Sequence, residues 1–185
     1  MRIIGGTQRG RLIKMPKGRA TRPTQDRVRE AIFNIIRKEI PESAVLDLYA
    51  GSGAFGIEAL SRGAHTAIFI DKSARSVKTI KSNLLSLGYA APRAQVFKKD
   101  GVGAIEAFGK VSAKFDIAFI DPPYHKGLAK NALLKIDACD ILAQHSFIIA
   151  EHFVKDPLPH EAGRLSLFKQ KRYGDTVVSF YVRKG

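Results

Sequence analysis

One cysteine, Cys139, is all the thiol this 185-residue chain carries, so no disulfide can close within it and a reducing cytosol suits it. Cys139 falls in an apolar helical pattern and reads as a small buried hydrophobe. Long apolar runs are also missing. None approaches the ~18 residues of a membrane span, and the polar, basic N-terminus does not read as a signal peptide. There is no internal repeat and no low-complexity tract. The five histidines have no metal-ligand spacing, and no Ser-His-Asp or Cys-His arrangement can be argued, so no metal is assigned. With 45% hydrophobic and 26% charged residues, the chain suits a cytoplasmic domain with a full core and a small appendage.

Acid is scarce as well: 17 Asp and Glu stand against 31 Lys and Arg, a net charge of +14. The excess sits at the ends. Residues 1–40 hold eleven basic and three acidic residues, and residues 164–185 six basic and one acidic. Such a distribution is an electrostatic footprint for a polyanion, and nucleic acid fits it best. Residues 1–22, with seven basic residues and no acidic one, read as a hairpin of two short strands (Arg2–Gly6 and Gly10–Lys14), then a loop from Gly18 to Arg22. A hairpin that small must rest on a main domain, here 23–185.

That domain opens with a helix capped by Thr24, with Asp26 in its first turn and Pro41 at its end. Val28, Ala31, Ile32, Ile35 and Ile36 form its core stripe, with Arg27, Arg29 and Glu30 on other faces. Strand and helix then alternate, the signature of a parallel sheet. Strands are predicted at 44–49, 66–70, 93–97, 115–120 and 146–152, with helices near 54–62, 74–87 and 127–138 and a short one after Asp100. Two last strands, near 164–172 and 176–183, read as an antiparallel hairpin turning at Gly174-Asp175. The expected fold is α/β and Rossmann-like: seven strands, mostly parallel, plus the N-terminal hairpin.

The stretch from Val45 to Gly56, Val-Leu-Asp-Leu-Tyr-Ala-Gly-Ser-Gly-Ala-Phe-Gly, is strand, tight turn and helix, the opening of a nucleotide-binding unit. Two readings of the loop stand. Gly51, Gly53 and Gly56 fit the G-x-G-x-x-G dinucleotide pattern, and Asp71 lies 18 residues beyond Gly53, near a ribose-binding acid. Asp47, within the strand, would repel a pyrophosphate but suits the cationic sulfonium amino acid of S-adenosylmethionine. Acidic residues stand at or near three strand ends, Asp71, Asp100 and Asp121, the edge where open α/β sheets bind ligands.

Asp121-Pro122-Pro123-Tyr124 is the most specific segment. Two prolines lock the backbone and remove two donors, leaving the Asp121 side chain and the Pro122 carbonyl as fixed acceptors beside the flat Tyr124 ring. That set suits a planar NH2 group on an aromatic base. His125 follows it. Glu151 and His152, at the fifth strand's end, read as solvated strand-end residues able to approach the site.

These residues resemble the class I S-adenosylmethionine-dependent methyltransferases of amino nitrogens. Within them the chain resembles the bacterial small-subunit ribosomal RNA guanine-N2 methyltransferases of the RsmD type. The narrower markers are Arg2-Ile3-Ile4-Gly5-Gly6, Arg9-Gly10-Arg11 and the run Arg22 to Glu30. The resemblance implies that Asp47, Gly51, Ser52 and Gly53 hold the methionine end of the donor, Asp71 and Lys72 its ribose and Asp100 its adenine amine, with Thr24 covering it. It implies catalytic roles for Asp121, Pro122, Pro123 and Tyr124. Arg2, Arg9, Arg11, Arg22 and Arg27 would grip 16S ribosomal RNA, with the chain a monomer. Three rivals remain: the same fold methylating adenine N6, a nicotinamide-dependent oxidoreductase and a non-catalytic RNA-binding protein.

Overall fold

In the computed structural model, residues 1–16, 23–124 and 126–184 are described, with Pro23, Thr24 and Gln25 described in backbone alone. The apolar runs become strands buried on both faces. β1 (Ala44–Leu48), β2 (Thr66–Asp71), β3 (Ala94–Lys98) and β4 (Phe115–Ile120) are parallel, as is β5 (Leu142–Phe153) to β4. β6 (Glu161–Ala162), β7 (Leu165–Tyr173) and β8 (Thr176–Arg183) add an antiparallel edge. The order is β3-β2-β1-β4-β5-β8-β7-β6, so the chain reverses direction across the sheet between β1 and β4. A crevice at the C-terminal strand ends forms at such a reversal.

Two expectations need correcting. The sheet has eight strands, not seven, because the two residues of β6 pair with Ser166 and Leu165. The N-terminal hairpin is a single antiparallel bridge, Arg2 to Leu12, rather than two strands. Its two arms bond each other through the Ile3 N–H to the Arg11 carbonyl and the Ile13 N–H to the Met1 carbonyl, and the main domain holds its other groups: Ile4 and Gly5 donate to Glu58, Thr7 to the Ser61 carbonyl and Lys14 to Asn83. Ile3 and Ile13 are buried in the main core, so residues 1–16 are built into the domain's wall.

Alternate side chains of each strand enter opposite layers. Val45, Phe69, Ile117 and Phe119 pack under α1 (Pro23–Ile35), α2 (Ala54–Ser61) and α3 (Ala74–Leu87). Leu46, Leu48, Ile70 and Ile120 pack under α4 (Gly101–Lys110) and α5 (Leu128–Ala138). α1 starts with Pro23 at its first position, where a proline fits because its missing N–H has no helical partner. Thr24 therefore lies inside the first turn and is not the cap. The helix stops at Ile35, before Pro41, and a turn then carries Ile36 and Ile40 into the core. Arg29, expected on an outer face, is buried at 3% exposure. Cys139 caps the end of α5 and is only half-buried. No described helix is long and apolar enough to cross a membrane.

Candidate active site

One wall of the crevice is the loop after β1. Tyr49, Gly51 and Gly53 all have positive φ, at 64, 59 and 80°, so the chain turns sharply and keeps its backbone open. A Cβ on Gly53 would press within 3.2–3.3 Å of Ile80, Ile57 and Phe69, and one on Gly56 would run into the Phe69 ring. Asp47 is 1% exposed, and its Oδ2 accepts the Gly56 N–H at 2.9 Å. Burial pushes its carboxyl up to about 8; the Gly56 bond pulls the other way, and the charge of Asp71 adds to the rise. An uncompensated buried carboxyl of this kind gains from a cation beside it.

Asp71 braces this wall. Its Oδ2 accepts the Gly51 N–H at 2.9 Å and its Oδ1 the Ser73 N–H at 2.8 Å, leaving further lone pairs available. Lys72 beside it is exposed. Ser52 is buried, with its carbonyl accepting from Asn83 Nδ2 at 3.0 Å. Asp100 is exposed and caps α4 through the Gly103 N–H at 2.8 Å, while the Tyr49 ring lies against Gly101.

The facing wall follows β4. Pro122 is buried, Asp121 and Tyr124 half-buried and Pro123 exposed; His125 lies outside the described residues. The Tyr124 hydroxyl donates to Glu151 Oε1 at 2.9 Å and lies 2.8 Å from Thr176 Oγ1, and its ring centroid stands 6.0 Å from that of Phe153. Burial and the neighbouring Glu151 raise the tyrosine's pKa, and burial raises that of Glu151. Glu151 and His152 are thus not solvated strand ends. His152 is buried, with Nε2 2.8 Å from Ser179 Oγ. Thr176 reaches the site because β8 runs antiparallel to β5 in the register Phe153 to Thr176.

Between the walls lies a cleft of about 890 Å³ that brings together Asp47, Ser52, Asp121, Pro122, Pro123 and Tyr124. Glu151 and Thr176 line it too, and so do Met1, Met15 and Arg29 from the N-terminal side. Asp71, Lys72 and Asp100 are not among its lining residues; they stand at the ends of β2 and β3, on the far side of β1 from β4. Arg2, Arg9, Arg11 and Arg27 are exposed. Arg11 also donates to the Ser86 carbonyl at 2.5 Å and to Gln8 Oε1 at 3.0 Å. Arg22 lies outside the described residues, as does the Thr24 side chain.

Sequence reasoning missed the group that holds the N-terminal wall. Glu58 accepts from Ile4, Gly5 and Arg62, with Arg29 Nε 3.9 Å away, and Asn83 bonds both backbone groups of Lys14. No local spacing signals partners so distant in sequence. Glu151 did carry a signal, since it is a carboxylate near the C-terminal end of a strand, as Asp71 is.

The family model described as Conserved hypothetical protein 95 matches residues 1–182. The Bacillus subtilis protein YlbH is 41% identical over 185 residues, covering 100% of both chains. The Ribosomal RNA small subunit methyltransferase D of Escherichia coli is 34% identical over 184 residues, covering 100% of this chain and 90% of that one. The solved structure of Escherichia coli yhhF superposes with a TM-score of 0.86 at 34% identity, covering 100% of this chain and 98% of that one. The cleft, the glycine loop and the proline turn thus sit in a fold shared from end to end with these proteins, and the chain belongs to the Conserved hypothetical protein 95 family, which includes the small-subunit ribosomal RNA methyltransferase D proteins.

Proposed function

We propose that the chain transfers a methyl group from S-adenosylmethionine to the exocyclic N2 amine of a guanine in 16S ribosomal RNA. The observation that carries this reading is that the rigid Asp121–Tyr124 turn faces the β1 loop across one cleft. The donor set fits the cofactor: the buried Asp47 carboxyl favours a cationic neighbour over a pyrophosphate, and the loop backbone is free of side chains at Gly51 and Gly53. S-adenosylmethionine supplies an electrophilic methyl on a sulfonium with a good leaving group. Asp47, Gly51, Ser52 and Gly53 hold its methionine end, Asp71 and Lys72 its ribose and Asp100 its adenine amine, with Thr24 covering it.

The remaining work is alignment and exclusion of water. The guanine leaves its stack to enter the cleft. Its N2 lone pair is delocalised into the ring, so the amine is a poor nucleophile until both protons are held. The Asp121 side chain and the Pro122 carbonyl accept hydrogen bonds from the two N–H groups, the Tyr124 ring stacks on the base, and Asp121 takes the one proton that N2 loses as the methyl leaves sulfur for nitrogen. Arg2, Arg9, Arg11, Arg22 and Arg27 meet RNA phosphates, which makes residues 1–22 the RNA-binding part of the chain. The protein acts as a monomer on the small subunit in the cytoplasm.

The test is labelled S-adenosylmethionine with 16S ribosomal RNA and small subunits, followed by nucleoside analysis. N2-methylguanosine is the expected product. N6-methyladenosine would move the target to adenine, and tight NADH binding with no affinity for the methyl donor would overturn the transferase reading.

A further inference from the structure

We infer that Glu151 selects guanine by accepting a hydrogen bond from the ring N1–H, next to the N2 amine held by Asp121 and Pro122. This rests on the methyl-transfer reading above. Ile120 and Ala150 are register partners on the parallel strands β4 and β5, so Asp121, just past the end of β4, and Glu151, still within β5, follow them at the same level. Strands in such a ladder run about 4.8 Å apart, a separation that brings two acceptors to adjacent positions of one purine edge. Both residues line the cleft.

The carboxyl of Glu151 is oriented before any base arrives. Its Oε1 accepts from the Tyr124 hydroxyl, which also meets Thr176 Oγ1 on β8. Its Oε2 has no hydrogen-bond partner among the described residues. Burial is the larger effect and raises its pKa, the Tyr124 bond opposes that rise, and it is the ionised form that reads the base. An ionised carboxylate can only accept. Guanine presents a donor at N1 and adenine an acceptor, so adenine would set two acceptors face to face in a closed site. Sites built around a hydrogen bond reject analogues that lack it far more strongly than apolar pockets reject shape variants.

The test uses an RNA fragment in which the guanine that the enzyme methylates is replaced by 2-aminopurine. That base keeps the C2 amine but has no proton on N1. Single-turnover kcat/KM for the two fragments should favour guanine by ~10²-fold or more in the wild type. Glu151→Gln keeps the shape and can donate to a bare N1, so the ratio should fall by ~10-fold or more as the guanine rate drops. Glu151→Ala removes the acceptor and should also lower the ratio. Both variants are checked by thermal melting and by S-adenosylmethionine binding. If both rates fell together and the ratio stayed at the wild-type value, Glu151 would only be orienting Tyr124, and the inference would be wrong. If the wild type formed no N2-methylguanosine on 16S ribosomal RNA, the methyl-transfer reading itself would fail first.

Discussion

Replacing Glu58 by alanine should loosen the N-terminal wall of the cleft and lower the stability of the whole domain. Glu58 is 1% exposed, and its two oxygens accept the Ile4 and Gly5 N–H groups at 2.8 Å each and Arg62 Nε at 2.7 Å. Arg29, 3% exposed, has its Nε 3.9 Å away and without a hydrogen bond. Alanine would strip the buried counter-charge from Arg29, leaving it only the half-buried Asp26 at 3.4 Å, and the acceptor from two backbone donors. Arg62 would keep its place over the Phe33 ring, 5.0 Å from the centroid, so the loss falls mainly on Arg29 and the Ile4-Gly5 backbone. Breaking a buried pair from one side costs about 3–5 kcal/mol. In a chain of this size each kcal/mol moves Tm by ~2–4 °C, so Glu58→Ala should melt ~6–20 °C below wild type. Glu58→Gln keeps one acceptor and should lose less. Hydrogen exchange should show the first residues of the N-terminal segment losing protection earliest, because Ile4 and Gly5, next to the buried Ile3, are tied to the domain through this carboxylate. A Glu58→Ala protein with unchanged Tm and unchanged protection there would refute the role of Glu58 as the anchor.

Three other variants probe the cleft and its rim. Burial lifts the Asp47 carboxyl from 3.8 to about 8, so the folded apoprotein holds a proton that the unfolded chain has released. Stability should therefore fall as pH rises from about 4 through 8, and a quarter of that displacement is already worth about 1.4 kcal/mol. Asp47→Asn should flatten this slope in urea denaturation and weaken S-adenosylmethionine binding in calorimetry; an unchanged slope would count against a protonated Asp47. Asp121→Asn exchanges an acceptor for a donor and should slow single-turnover methyl transfer by ~10²–10³-fold while donor affinity stays nearly constant. Arg9→Ala with Arg27→Ala removes two exposed cations, so the salt dependence of RNA binding should flatten by about one unit per lost phosphate contact. A salt slope equal to that of the wild type would move the RNA surface elsewhere.

The parallel strands and the helices between them were legible because each keeps one hydrophobic period and ends in a turn or a carboxylate. β4, for instance, runs from Phe115 to Ile120 as its apolar run predicts. β6 could not be seen, since two residues carry no period and exist as a strand only through their pairing with β7. The N-terminal segment looked like a two-stranded hairpin because short apolar stretches flank a Gly-containing turn there. Its arms do bond each other, but further hydrogen bonds go to α2 and α3, 53 to 69 residues away, and no local pattern reports a partner at that distance. Arg29 was misplaced for the same reason: a charge on a helix reads as solvated unless its buried acceptor is known.

Strand order made the largest difference at the site itself. Asp100 and Glu151 look alike in the sequence, each a carboxylate at or just past the end of a parallel strand. The sheet places β3 three strands from β4 and β5 directly beside it. Asp100 accordingly caps α4 outside the cleft walls, while Glu151 meets Tyr124 inside them. Alternating strands and helices imply a doubly wound sheet, yet they leave open which strand flanks the proline turn. Which carboxylate flanks the proline turn is therefore decided by a long-range pairing, Ile120 with Ala150, and only the assembled sheet turns a glutamate near a strand end into a candidate for reading the base.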